Sequence, residues 1–414
     1  MAKIWEGLTR NLKVAKAWGR NARVLVITEL LWGIPMPWVF FYQTIFMRSL
    51  GMDEVLIGYL MTLPLVLQIF FPILGGHLAD RFGRKRVLML FDTVGWIGAM
   101  GTWFIATETW QVALAVSFQG LTSTTYGVWE TLLVEDTDPP YRPSIYGSLQ
   151  MIYIIGGLLT PLAGVLVLLH GVEAGCRYMF LTSLTTMACM LVIRQVYLRE
   201  SEVGRALAYR KGAPSKPRGY IETLRTVTGS RTLLVIFVLV ILGSVQYPMV
   251  DTYKPLYLSD PKGLALDESI ISVIPAASSV PSLLALALIV PRLEERHMKK
   301  AIVLSYVCGI SGLMTLVAAP KGSFPLAVAS AVLDSARYIA GFSILRVYLA
   351  NTIDKVDLMV RAKIMSLTAT LSAVASWPAP AMAGYLYAVD PRSPFIAVTF
   401  LLALSTYMVT KIRS

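Results

Sequence analysis

The chain has 414 residues, 56% of them hydrophobic and 15% charged, with a formal net charge of +12. Soluble domains carry roughly 25% charged residues, so a water-covered globule of this length is excluded. The basic residues lie between long apolar blocks, where a membrane protein places them, and no nucleic-acid partner is expected.

The first apolar block begins near Val24. It is long enough to span and is followed by no small-residue cleavage site, so no removable signal peptide is expected. Apolar windows in chain order predict spans at 24–47, 55–77, 87–106, 111–134, 145–169, 177–198, 232–258, 268–290, 301–319, 324–349, 364–388 and 395–412. Backbone polar groups in hydrocarbon must be satisfied within the segment, so each window is a helix. The expected fold is all-α and integral to the bilayer, with twelve transmembrane helices.

With the N-terminus in the cytoplasm, 29 Lys and Arg fall on inner segments and six on outer ones, leaving Arg337 and Arg346 inside a span. This bias puts both termini in the cytoplasm of a multi-pass plasma-membrane protein. The longest polar stretch, 199–231, contains Gly-Ala-Pro-Ser-Lys-Pro-Arg-Gly and reads as a cytoplasmic linker between bundles at 1–198 and 232–414.

The two halves repeat weakly. Pro37-x4-Tyr42-x3-Phe46 in the first span aligns with Pro248-x4-Tyr253-x3-Tyr257 in the seventh. The next spans open with Met-Asp-Glu-Val-Leu-Ile (52–57) and Leu-Asp-Glu-Ser-Ile-Ile (266–271). The loops that follow hold Asp80-Arg81 then Arg84-Lys85-Arg86, and Glu295-Arg296 then Lys299-Lys300. Glu135-x6-Arg142 and Asp354-x6-Arg361 complete the series. Pseudo-symmetric halves are what alternating access requires, with a site at their interface near the bilayer midplane.

Gly76-His-Leu-Ala-Asp80-Arg81-Phe-Gly83-Arg84-Lys85-Arg86 lies between spans two and three. It resembles the Gly-x3-Asp-Arg-x-Gly-Arg-Arg/Lys loop of the major facilitator superfamily. The resemblance implies two pseudo-symmetric six-helix bundles and secondary transport. In physical terms Gly76 permits close helix approach, Gly83 a tight turn, and Asp80 accepts hydrogen bonds from arginines or a helix N-terminus. With Arg81, Arg84 and Lys85 it is expected to form a conformational latch, echoed by Glu295 and Arg296 in the second half. Exporters of the superfamily carry Arg-x-x-Gln-Gly in helix four, where this chain has Val116 before Gln119-Gly120. Their helix-five motif is matched by Gly156, Pro161 and Gly164 but not by Thr160 and Val165.

The family resemblance implies that helices 1, 4, 7 and 10 line the cavity. The 3.6-residue period aligns Glu29, Gly33, Met36, Phe40 and Gln43 on one face of span 1. It likewise groups Gln119, Ser123, Tyr126 and Glu130 on span 4, Tyr247, Asp251 and Lys254 on span 7, and Asp334, Arg337 and Tyr338 on span 10. Ionisable groups in hydrocarbon are costly and mark function. Arg337 keeps its proton and is expected to pair with Asp334 at i−3. Glu29 and Glu130 have no cation near them on their own helices and are candidate proton carriers, since desolvation favours a neutral carboxyl. Asp92 is expected to serve loop arginines.

Cys176, Cys189 and Cys308 are scattered, as are His77, His170 and His297, so no metal centre is expected. Nor is there a Gly-x4-Gly-Lys-Ser/Thr loop, and no cofactor is expected. The leading expectation is a monomeric, non-enzymatic secondary transporter of a small organic solute, proton-coupled, with export or antiport favoured. A lipid-modifying membrane enzyme and a transporter-like sensor are the alternatives.

Overall fold

A computed structural model describes residues 15–200, 226–289, 292–356 and 361–412. Most of the linker expected at 199–231, and the side chains of the Asp354-x6-Arg361 match, lie outside the described residues.

Helix occupies most of the described residues of every predicted window, and no strand occurs among the described residues. In chain order the helices are α1 (Arg20–Gly33), α2 (Met36–Ser49), α3 (Glu54–Phe82), α4 (Arg84–Asp92), α5 (Gly98–Ile105), α6 (Thr109–Leu121), α7 (Tyr126–Val134), α8 (Arg142–Leu158) and α9 (Pro161–Tyr197). The second half adds α10 (Arg231–Ser259), α11 (Val273–Leu284), α12 (Glu295–Ala318), α13 (Phe324–Ile339), α14 (Leu345–Val356), α15 (Arg361–Ser376), α16 (Ala379–Val389) and α17 (Ser393–Thr410).

Eight helical stretches among the described residues are long and apolar enough to cross a bilayer. The predicted spans at 111–134, 324–349 and 364–388 are each built from two shorter helices. In the first, a 3-10 turn at Thr122–Thr125 interrupts the α-helix. In the second, a π turn occupies Ala340–Ile344. Spans five and six run together in one 59-residue stretch, and within α9 the helical backbone is broken at Gly171, whose φ is +77°. That conformation is open to glycine at little steric cost. The first span divides at Ile34–Pro35 because Pro35 and Pro37 lack the N–H groups a continuous helix needs.

The described helices group into two compact units. One draws on Met1–Phe40, Leu67–Leu159 and Ala174–Pro214, the other on Phe41–Val66, Thr160–Glu173 and Ser215–Ser414. In the first unit, Leu25, Leu88, Leu132 and Ile145 form a fully buried apolar core. There α1 and α8 meet backbone to backbone: a Cβ added at Gly156 would overlap the carbonyl oxygen of Gly33, the small-residue packing expected where helices associate without water.

The second unit shows what the sequence repeat does. The Tyr42 hydroxyl donates to the Glu268 backbone oxygen (2.7 Å), and the Tyr253 hydroxyl donates to that of Glu54 (2.7 Å). Each aligned tyrosine therefore binds the Asp-Glu turn of the opposite repeat. Alongside, Arg48 pairs with Glu54 and donates to Asp260 at 2.8 Å, and Asp260 also accepts from Tyr387 at 2.9 Å.

Candidate functional site

The polar residues of α10 and α13 converge within the second unit. Tyr247, Asp251 and Lys254 share one face of α10, and Asp334, Arg337 and Tyr338 meet it from α13. Arg337 donates through Nε to Asp334 Oδ1 (2.7 Å) and through Nη2 to Oδ2 (3.1 Å), and both side chains are 1% exposed. The predicted i,i+3 pair is therefore a bidentate one. Lys254 Nζ also donates to Asp334 Oδ2, at 3.3 Å, so one carboxylate answers two cations.

Two aromatic rings flank the guanidinium, Tyr338 at 4.5 Å and Tyr247 at 5.1 Å from centroid to Cζ. Such a stack stabilises a desolvated cation. The Tyr247 hydroxyl donates to the Arg337 backbone oxygen (3.2 Å). Gly341 makes room for that ring, since a Cβ there would collide with the Tyr247 hydroxyl. Among the described residues Arg337 Nη1 has no hydrogen-bond partner. Asp251 is exposed and accepts from the Tyr338 hydroxyl. It lies eight residues before the end of α10, about 12 Å along the axis at 1.5 Å per residue. The charges of Asp251, Lys254, Asp334 and Arg337 balance, and Asp251 is the most exposed of the four.

The predicted residues of spans 1 and 4 behave differently. Glu29 is buried, and a cation from another helix meets it: Arg194 Nη2 donates to its Oε2 at 2.7 Å, and the Tyr153 hydroxyl to its Oε1 at 3.1 Å. Arg194, expected among the topological charges flanking the linker, is 2% exposed. Its Nη1 also lies 3.5 Å from Asp92, so Asp92 partners Arg194 of α9 rather than the loop arginines. Glu130, by contrast, is exposed. Tyr126 is 50% exposed, and Gln119 Nε2 is buried without a hydrogen-bond partner among the described residues.

Gln43 belongs to the second unit and Glu29 to the first. Glu29, Gly33, Met36 and Gln43 are buried while Phe40 is 41% exposed, so the span-1 stripe is not one continuous exposed face.

The signature loop is tied to its own unit. Gly83 turns the chain with φ +92°. The Glu200 carboxylate, just past the sixth predicted span, accepts from the backbone N–H groups of Arg84 (3.0 Å) and Lys85 (2.9 Å). A carboxylate at a helix N-terminus satisfies free donors and complements the helix dipole. Arg84 forms an ion pair with Glu135, and Lys85 Nζ donates to the Gln195 backbone oxygen (2.7 Å).

Two expectations for this loop shift. The close approach assigned to Gly76 occurs at Gly75, where a Cβ would overlap the Thr124 carbonyl, whereas a Cβ at Gly76 meets nothing within 4 Å. Asp80 is exposed and makes no ion pair among the described residues; Arg84, Glu135 and Glu200 carry the tie. In the second-half loop Arg296 pairs with Glu294, at 2.6 Å, on an exposed surface.

The family model for the Major Facilitator Superfamily matches residues 24–377. The chain belongs to that superfamily. It is 27% identical over 209 residues to the "Uncharacterized MFS-type transporter YdeE" of Escherichia coli (strain K12), covering 49% of this chain and 50% of that one. It is 23% identical over 258 residues to a "Na(+), Li(+), K(+)/H(+) antiporter" of Planococcus maritimus, covering 59% of each. A class H tetracycline resistance protein of Pasteurella multocida is 25% identical over 150 residues, 36% of each chain. These matches span 36–59% of the relatives' length.

Among solved structures, the nucleoside transporter NupG aligns with TM-score 0.69 at 14% identity, covering 94% of this chain and 96% of that one. A D-xylose-proton symporter aligns with TM-score 0.68 at 15% identity, covering 95% and 97%. At these identities the likeness concerns the fold.

Proposed function

We propose that the protein is a proton-coupled secondary active transporter moving a small organic solute by alternating access, with antiport favoured. It acts as a plasma-membrane monomer of twelve spans, in bundles at 1–198 and 232–414 joined by the linker 199–231, with both termini cytoplasmic. The observation that carries the reading is Asp251: an exposed carboxylate well inside α10, balancing the excess positive charge of the Asp334–Arg337–Lys254 set and beside the rings of Tyr247 and Tyr338. Such a surface offers a hydrogen-bonding anion and aromatic faces to a solute while its fixed charges balance. Gln43, Gln119, Tyr126 and Glu130 complete the proposed solute path. The antiporter and proton-symporter likenesses support proton coupling.

The test is reconstitution into liposomes holding a pH-sensitive dye and a preset pH gradient. Tetracycline, D-xylose, a nucleoside, Na+, Li+ and K+ are added in turn. One member is expected to evoke proton flux that Asp251→Asn diminishes. Solute exchange without proton flux would remove protons from the mechanism. Cysteines introduced at Arg86 and Lys262 should label from opposite sides of the membrane; labelling from one side would overturn the orientation.

A further inference from the structure

We propose that Glu29, Asp92 and Arg194 form a proton-binding site inside the first unit, with the exchangeable proton resident on Asp92. The three side chains come from α1, α4 and α9 and are 6%, 3% and 2% exposed. Two carboxylates thus share one guanidinium. The other groups facing the set are neutral hydroxyls: Thr28, which accepts from Arg194 Nε at 3.0 Å; Thr125, which donates to Asp92 Oδ1 at 2.8 Å; and Tyr153 of α8, which donates to Glu29. Tyr126 of α7 is within electrostatic reach of Asp92 and Tyr153. No second cation pairs with the set among the described residues.

Were all three groups ionised, the cluster would hold one uncompensated negative charge away from water. A buried charge without a partner is costly, and two neighbouring carboxylates relieve that cost by retaining a proton. Geometry decides which one. Arg194 makes its short 2.7 Å bond to Glu29 and reaches Asp92 only at 3.5 Å. The proton therefore falls to Asp92, the carboxylate that the guanidinium holds less closely. Losing that proton makes Asp92 compete with Glu29 for the same guanidinium, which pulls on three helices at once. Coupling this event to transport rests on the proton-coupled reading above, but the proton site itself does not.

The experiment is infrared difference spectroscopy of the purified full-length protein, titrated across the physiological pH range in water and in heavy water. Wild type is expected to show one buried protonated-carboxyl band that disappears on alkalinisation. Asp92→Asn should abolish it. Glu29→Gln should abolish it too, because Asp92 then has Arg194 to itself. Both changes remove the excess charge and are expected to give monodisperse protein, so each supports the other if one fails to fold. A band surviving in either variant, or absent from wild type, overturns the proposal. The same preparations are tested in the liposome assay. A titrating Asp92 without proton flux leaves the site standing and defeats the coupling reading.

Discussion

Tyr42 and Tyr253 are symmetry mates in use: each donates its hydroxyl to the backbone oxygen of the glutamate that begins the partner repeat's helix or its approach, Glu268 for one and Glu54 for the other. Because the acceptors are main-chain atoms, replacing either glutamate side chain leaves these bonds available. The tyrosine hydroxyls are the vulnerable partners. Tyr42→Phe and Tyr253→Phe should each cost about 1 kcal/mol, with a larger combined loss in the double variant. Thermal unfolding in detergent checks this, and unchanged stability in the double variant would show that the bonds contribute nothing.

Asp334 serves two cations, so the two members of the span-10 pair are not equivalent. Asp334→Asn strands both Arg337 and Lys254, whereas Arg337→Gln leaves Asp334 paired with Lys254. The first change should cost roughly 3–5 kcal/mol and the second less. Combining them should be better tolerated than the sum of the single losses. Strict additivity in a double-mutant cycle would show that the groups act independently.

Gly83 should resist substitution. Its φ of +92° disfavours any side chain, and a Cβ there would lie 2.7 Å from a Glu200 oxygen. Gly83→Ala is expected to destabilise by about 1–3 kcal/mol. Glu135→Gln, which breaks the Arg84 ion pair, should lower transport while expression holds. Full transport in Glu135→Gln would remove that pair from the conformational cycle.

Asp260 lies just beyond α10. Burial opposes its ionisation, but donation from the Lys262 N–H, Tyr387 and Arg48 holds its carboxyl below the usual range. A lowered folded-state pKa contributes stability that is complete above the unfolded value, about 3.9, and is lost as pH falls through the folded one. The stability difference between wild type and Asp260→Asn should therefore stay constant through neutral pH and shrink only in strong acid. A difference that changes near neutrality would mark Asp260 as a titrating switch.

Much of this was legible in the chain. Apolar block length located the helices, since hydrocarbon leaves the backbone no other solution. Asp334 and Arg337 were readable as a pair because three residues on a helix are neighbours, and the Tyr42 and Tyr253 matches pointed to halves built alike. What escaped were contacts joining residues far apart in sequence. Arg194 sits where a flanking topological arginine would, and nothing in its local sequence announces that it turns inward to Glu29, 165 positions away. Arg48 and Asp260 were hidden for the same reason, being separated by 212 positions. At Gly75 and Gly76 the residue type was right, but the helical phase that sets which one faces Thr124 depends on tertiary packing.

The Gly33–Gly156 contact bears on how the first unit deforms. Where two helices touch through side chains, rotamer changes can absorb sliding. Here main chain meets main chain, and no rotamer exists to yield. Shear between α1 and α8 at this level is therefore blocked, and the two helices should move as one rigid lever. Any bulkier residue at position 156 would act as a wedge, prising α8 from α1 along its length and carrying Tyr153, one turn away, off the Glu29 carboxylate.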